Sequence, residues 1–473
     1  MNGLIISVSG LRGVVGDSLT PVVAARYVTA FAKYLHSAQA KSGQPKSGQP
    51  NFGKRPLVIV GRDGRGSGIL LQRVVVASLE ASGCDCLIAD VAATPTIGVL
   101  VRDRSAAGAI QITASHNPPP YNGMKLFDAT GRVVGAATGT AIKDFYENGD
   151  SVWRGVDEIG SADVVDDPHA PHLNSVLATV DVAAIAAKNY RVLLDSNHGS
   201  GAALGMRLLV KLGCKVVVIG AEPDGKFDHV PEPTAENLQT IAARVAKEKC
   251  DVGFCQDPDA DRLALIDASG RYVGEEFTLA LCVQRALANP ETRGSIVING
   301  ATSGMSERLA AAAGVIAYRS AVGEANVADK MIASKASYGG EGNGGPIDPR
   351  VGYVRDSFVG MAQVLALMTE QNLSLASLVD ALPKLAIHKS KATVDAAVLP
   401  AAMKRIAERF ADAKADFSDG LRLAWADRWL LVRGSNTEPI VRLIAEAETE
   451  AQAKQMCEEA ADCIQVSSSL TKG

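Results

Sequence analysis

No apolar run in this 473-residue chain reaches the roughly 20 residues that span a bilayer, so a membrane-spanning helix is not expected. The N-terminus lacks the basic start and apolar core of a secretory signal, which makes the cytoplasm the expected location. Neither sign of charge dominates: 48 Lys and Arg stand against 52 Asp and Glu. No global field therefore favours nucleic acid or an anionic membrane, and the expected partner is a small molecule met by a monomer or homodimer. The eight cysteines, at 84, 86, 214, 250, 255, 282, 457 and 463, form no C-x-x-C pairs with histidines at zinc spacing. They read as reduced, mostly buried small apolar residues.

What is present is core material, 47% of residues being hydrophobic, in a chain long enough for three to four domains of about 150 residues each. Three segments share one layout. Each opens with an apolar, β-branched run that breaks into a polar turn: "LVIVGRDGRGSG" (57–68), "RVLLDSNHGSG" (191–201) and "SIVINGATSG" (295–304). A helix-like stretch follows, then a small-residue turn and a second strand: "GCDCLIAD" (83–90), "GCKVVVIG" (213–220) and "AGVIAYRS" (313–320). A third strand then ends in a polar loop: "AIQITASHN" (109–117), "DVGFCQDPDAD" (251–261) and "ASYGGEGNGG" (336–345).

Such alternation implies three related α/β domains with mixed, mostly parallel sheets. From about residue 385 the layout changes, and "LRLAWADRWLLVRGSNTEPIVRLIAEA" (421–447) reads as two or three strands around a loop, followed by a helix near 450–466. The expected division is 1–180, 181–275 and 276–384 for the α/β domains and 385–473 for a C-terminal α+β domain, all around a central cleft. A duplicated "KSGQP" at 41–50 has the composition of a surface loop and implies no chemistry.

Ligands of parallel sheets gather at the carboxyl ends of strands, where the three polar loops fall. Asp257, Asp259 and Asp261 alternate along an extended segment, so their carboxylates share one face and suit a hard cation such as Mg²⁺. An EF-hand reading fails, because Arg262 and Ala268 stand where that loop needs Gly and Glu. In the first loop Ser115 precedes His116, a pairing suited to phosphoryl transfer beside a cation; taken alone, Ser-His-Asn-Pro is a turn. No G-x-S-x-G elbow surrounds Ser115, which disfavours a Ser-His-Asp hydrolase. Glu341 and Asn343 in the third loop suit sugar hydroxyls, although a flexible glycine turn explains the segment equally well. Arg433 with Ser435, Asn436 and Thr437 suits a phosphate dianion, against the alternative of a polar hairpin loop. Arg12, after "LIISV", either reaches the same cleft or forms a surface ion pair.

"SGLRG", "TASHNP" with "YNGMK", "DPDADR", "GGEGNGG" and "RGSNTEP", in this order from about residue 5 to 447, resemble the α-D-phosphohexomutase superfamily. The resemblance implies four domains around one cleft and an enzyme that moves a phosphate between C1 and C6 of a hexose. It implies a phosphorylated Ser115 that helps Asp257, Asp259 and Asp261 hold Mg²⁺, and Arg262 against the phosphoserine or the sugar. Arg12, His116 and Lys125 would support phosphoryl and proton transfer, the last two as general acid/base candidates. Glu341 and Asn343 would read the sugar, and Arg433, Ser435, Asn436 and Thr437 would grip the phosphate that is not reacting. A hexose 1,6-bisphosphate would be intermediate and activator.

Many relatives read Gly-Gly-Glu-x-Ser-Gly-His at the sugar loop, whereas this chain has Asn343 and Gly345 at the last two of those positions that carry side chains. This variant resembles phosphoglucosamine mutases, while "SNTEP" is also at home in phosphomannomutases; phosphomannomutase or phosphoglucomutase activity is the alternative within the family. A metal-dependent sugar-phosphate phosphatase using Ser115 as transient nucleophile, and a sugar-phosphate binding protein without turnover, are the alternatives outside it.

Overall fold

The structure, a computed structural model, describes residues 3–7, 10–41, 55–395, 397–434 and 440–470. The second copy of "KSGQP" and nearly all of the first lie outside these residues, Lys41 being the last residue of a helix.

Three sheets repeat one arrangement. In the first, parallel strands Asp85–Val91, Leu57–Arg62 and Gly108–Ile112 lie side by side, and the third strand returns through a polar turn into the antiparallel strand Tyr121–Asp128. The second sheet repeats this with Lys215–Ile219, Arg191–Asp195, Val252–Gln256 and the antiparallel Leu263–Asp267. The third does so with Ala317–Ser320, Ile296–Asn299, Tyr338–Glu341 and the antiparallel Gly345–Ile347. The first sheet also carries Gly10–Val14, Ile5–Ser7 and Ala162–Val164, giving seven strands. The three polar loops are thus hairpin turns into a fourth, antiparallel strand. The mixed sheets of the expectation take this form because each loop is too short to hold a crossover helix.

A second regularity sits at the first strand of each repeat, at or just after whose end an Asp or Asn side chain accepts the amide two residues on. Asp63 Oδ1 takes the Arg65 amide at 2.9 Å, Asp195 Oδ1 the Asn197 amide at 3.0 Å, and Asn299 Oδ1 the Ala301 amide at 2.8 Å. These Asx turns bend the chain sharply at the cleft end of each sheet.

The helix Ser357–Gln371 lies between the second and third sheets, and every residue from Ser357 to Met368 is buried. Buried on every side and mostly apolar, it can only be a core element. It begins at Asp356, whose Oδ1 accepts the amides of Phe358 (2.9 Å) and Val359 (3.2 Å), meeting the donors that a helix start leaves free. Leu194, Leu265, Ile298 and Phe358 belong to one apolar cluster, so the second and third sheets share a core. Each such side chain contributes about 1.5–3 kcal/mol by leaving water. Leu173 and Val176, on the helix Ala170–Leu177 just before the expected boundary at 180, join the same cluster.

The C-terminal domain has its own core and a five-stranded antiparallel sheet in the order Ala386–Thr393, Ile440–Ala447, Trp429–Gly434, Leu421–Ala424, Lys414–Asp416. It meets the third domain through Glu446, which accepts the Trp429 indole N–H (2.8 Å), the Gly304 amide (2.8 Å) and the Ser303 hydroxyl. Among the described residues no single helix is long and apolar enough to cross a membrane.

Candidate active site

The serine loop leaves the buried strand Gly108–Ile112 and turns at Ser115, which adopts the left-handed conformation with φ +49°. A non-glycine residue there costs about 1–3 kcal/mol unless its surroundings impose it. Arg65 imposes it. Its guanidinium donates to the carbonyls of Ser115 and Asn117 (both 2.6 Å), Pro118 (2.9 Å) and Tyr121 (3.0 Å), while Nε reaches Asp63 Oδ2 at 3.1 Å. Asp63 also accepts the Thr113 hydroxyl (2.7 Å), whose oxygen in turn accepts the Ser115 amide (2.8 Å). With Arg65 and Asp63 both buried, the backbone of the loop is fixed and the Ser115 side chain is left to face its neighbours.

Those neighbours are the second loop. Ser115 Oγ donates to Asp257 Oδ2 at 2.9 Å, whereas His116 Nδ1 lies at 3.4 Å, too long for a tight nucleophile–base pair. Asp257, Asp259 and Asp261 are fully buried, with one ligand atom of each lying within 4.8 Å of the others. Asp257 Oδ1 accepts the amides of Asp261 and Arg262 at 3.1 Å, so only Oδ2 faces the serine. Burial first, then Asp259 and Asp261, pushes the Asp257 carboxyl well above the carboxylate range. Burial acts likewise on Asp259, but the Lys125 ammonium at 2.7 Å and the Thr94 hydroxyl at 2.6 Å outweigh it and bring it down.

Asp259 Oδ1 and Asp261 Oδ1 are buried without a hydrogen-bond partner. Two orphaned carboxylate oxygens beside a third acid and a hydroxyl form an all-oxygen donor set that fits a divalent cation of the Mg²⁺ type.

Lys125 also reaches Asp261 Oδ2 at 2.7 Å. Burial lowers its pKa, but Asp259 and Asp261 more than reverse this, so it stays an ammonium. Expected as a general acid or base, it is placed here as an ammonium between Asp259 and Asp261. His116 is pushed down to about 2, by the Arg262 charge first, then burial and Arg12, so the imidazole is neutral. Arg12 donates to the Asn117 side-chain oxygen at 3.1 Å, which brings it to the serine loop. Arg262 Nε lies 3.9 Å from Asp261 Oδ1, buried and without a hydrogen-bond partner.

Glu341 was expected to face sugar hydroxyls. Its Oε1 accepts Asn299 Nδ2 (2.6 Å) and the Gly323 amide (3.0 Å), and its Oε2 accepts Arg355 (2.8 Å), so it braces the third domain. Asn343 Oδ1 is buried without a partner. Arg433 is oriented by Asp419 Oδ1 at 2.8 Å, and Asp419 Oδ2 accepts the Val322 amide of the third domain at 2.7 Å. Ser435, Asn436 and Thr437, like Ser9, lie outside the described residues.

Sequence reasoning missed Arg65, Asp63, Thr94 and Arg355. Arg65 falls in the turn after the first repeat strand, a cleft-end position that the repeat itself identifies, and that was the available signal.

Four domain families match the chain: phosphoglucomutase/phosphomannomutase alpha/beta/alpha domain I at 4–153, domain II at 170–270, domain III at 275–385 and the C-terminal domain at 389–463. The chain is 33% identical to a phosphoglucomutase/phosphomannomutase of Thermococcus kodakarensis, over 96% of this chain and 97% of that one. It is 32% identical to a phosphoglucosamine/phosphogalactosamine mutase of Sulfurisphaera tokodaii, over 97% and 98%. A solved phosphoglucomutase/phosphomannomutase family protein of Burkholderia thailandensis shares the fold, with a TM-score of 0.81 at 23% identity over 98% of each chain. The chain belongs to the phosphoglucomutase/phosphomannomutase family.

Proposed function

We propose that this phosphohexomutase interconverts glucosamine 6-phosphate and glucosamine 1-phosphate through a phosphorylated Ser115 and a hexose 1,6-bisphosphate. The observation that carries the reading is the Ser115 hydroxyl against a buried carboxylate whose two neighbours hold orphaned oxygens, with Arg12, Arg262 and Lys125 close by. When bound by Asp257, Asp259, Asp261 and the Ser115 phosphate, Mg²⁺ would neutralise charge on the transferring phosphoryl group.

In the forward half, the bond from Ser115 Oγ to phosphorus breaks and a bond from phosphorus to the free sugar hydroxyl forms. The hydroxyl proton ends on Oγ, with the neutral His116 imidazole beside that oxygen as carrier. Phosphate entering among Arg12 and Arg262 offsets the repulsion that keeps His116 unprotonated. The bisphosphate then turns end for end, and its other phosphate returns to Ser115. Arg433, held by Asp419, grips the phosphate that is not reacting, as Ser435, Asn436 and Thr437 are expected to do.

Glucosamine is favoured by the Asn343 and Gly345 variant of the sugar loop and by the name of the Sulfurisphaera relative. The name of the Thermococcus relative supports mannose or glucose as the second reading. The test is kcat/KM for the 1-phosphates of glucosamine, mannose and glucose side by side, with released inorganic phosphate followed in the same assays. Glucosamine 1-phosphate is expected to lead by about tenfold or more. A lead for mannose or glucose moves the assignment within the family, and inorganic phosphate as the main product replaces it with a hydrolase.

A further inference from the structure

Gly345 carries no side chain, and the space that one would need is filled. A Cβ built on Gly345 would lie 2.4 Å from Arg355 Cδ, 2.7 Å from Cγ and 2.8 Å from Cβ. The Arg355 stem therefore takes the room that the glycine leaves. Its guanidinium bridges two loops: Nη2 donates to Asp261 Oδ2 and Nη1 to Glu341 Oε2, at 2.7 and 2.8 Å. The Arg355 amide donates to Glu324 Oε1 at 2.6 Å, and Nε is buried with no hydrogen-bond partner. The side chain is fixed from behind by the start of the buried helix at Asp356.

Two consequences follow from these contacts. With Oδ2 of Asp261 occupied by Arg355 and Lys125, only Oδ1 is turned free toward a ligand. Glu341, with a guanidinium on one oxygen and Asn299 and Gly323 on the other, is held in one orientation.

We propose that Arg355, in the space opened by Gly345, is a positioning residue for the hexose phosphate. It ties the aim of Glu341 to Asp261, so that the wall of the sugar loop carries a fixed guanidinium in place of a side chain at 345. A lysine cannot do this, because a single ammonium lacks the planar fork that spans two carboxylates. The inference rests on the mutase reading only in naming the ligand.

The test is a double-mutant cycle with Gly345→Ala, Arg355→Lys and the double variant, all full-length. Dissociation constants for glucosamine 6-phosphate are measured by titration calorimetry in EDTA, with Tm recorded for each variant and KM and kcat measured in Mg²⁺. Each single variant is expected to weaken binding about tenfold or more, and the double variant to be no weaker than the poorer single, since both displace one guanidinium. In turnover the loss should fall on KM, with kcat moving less than about threefold. A purely structural residue would lower Tm and leave the dissociation constant unchanged. That result overturns the proposal, as does multiplicative weakening in the double variant or absence of binding to the parent. Gly345→Ala keeps the test alive if Arg355→Lys does not fold. A parent that binds with the expected cycle yet turns over no hexose phosphate would overturn the mutase reading and leave Arg355 standing.

Discussion

The loops that carry Ser115 and Glu341 occupy the same place in related sheets, and each answers to one buried arginine, but the two arginines work differently. Arg65 places its donors on four backbone carbonyls and one carboxylate, all within the first domain. It fixes shape. Arg355 places its donors on carboxylates of the second and third loops, and so fixes where charge sits. The backbone of the serine loop is thus tied within its own domain, whereas one guanidinium ties the sugar and metal loops to each other. Under the proposed mechanism, a reaction centre that serves both ends of a sugar gains from that division, because the serine is held still while the wall around Glu341 depends on a second loop.

The largest expected effect lies on the charge side of this comparison. Asp259→Asn removes an acid whose Oδ1 is orphaned, and should lower kcat by about 10²-fold or more with Tm within a few degrees of the parent. Turnover within twofold of the parent would remove the metal assignment. Arg65→Lys is the matching test on the shape side. It leaves carbonyls and Asp63 short of donors and should destabilise the first domain by about 3 kcal/mol in denaturant unfolding, while kcat falls more than KM rises. A change in KM alone would mean that Arg65 acts on the sugar and not on the serine.

Glu446→Gln probes a contact made by neither arginine. It should loosen the seat of the C-terminal domain by about 1–2 kcal/mol, read as faster amide exchange at 303–305 with the first two domains unchanged.

The smallest effect concerns the turn of the second sheet that corresponds to the Arg65 turn. There Asp195 Oδ2 is met by His229 Nε2 at 2.8 Å instead of by an arginine. Burial pulls the His229 pKa down, but the bond and charge of Asp195 outweigh it and raise it above the ordinary value of 6.5. The stabilisation is complete below pH 6.5 and is lost as pH climbs through the raised value. The stability gap between the parent and His229→Gln should therefore narrow by under about 1 kcal/mol from pH 6.5 to 8.5. A gap constant in pH would contradict the raised His229 value.

The three-domain repeat was legible because β-branched runs, small-residue turns and polar loops recur along the chain, and these are local signals. Ser115 and the three aspartates were legible for the same reason. Arg65 was not, because its partners are backbone carbonyls about 50 residues away, which no local pattern records. Arg355 was hidden by the opposite error: Gly345 reads as a lost side chain until the stem that fills its space is seen. Lys125 was found, but its placement between two carboxylates was not, because it depends on distances to another domain.

The claim at the centre of this account is that Ser115 carries the phosphate. Intact-protein mass, measured after incubation with glucose 1,6-bisphosphate and Mg²⁺ followed by desalting, tests it most directly. A stable species about 80 Da heavier is expected, absent in Ser115→Ala and discharged by hexose monophosphate. A parent protein that never gains this mass, or a Ser115→Ala variant that gains it equally, would contradict it.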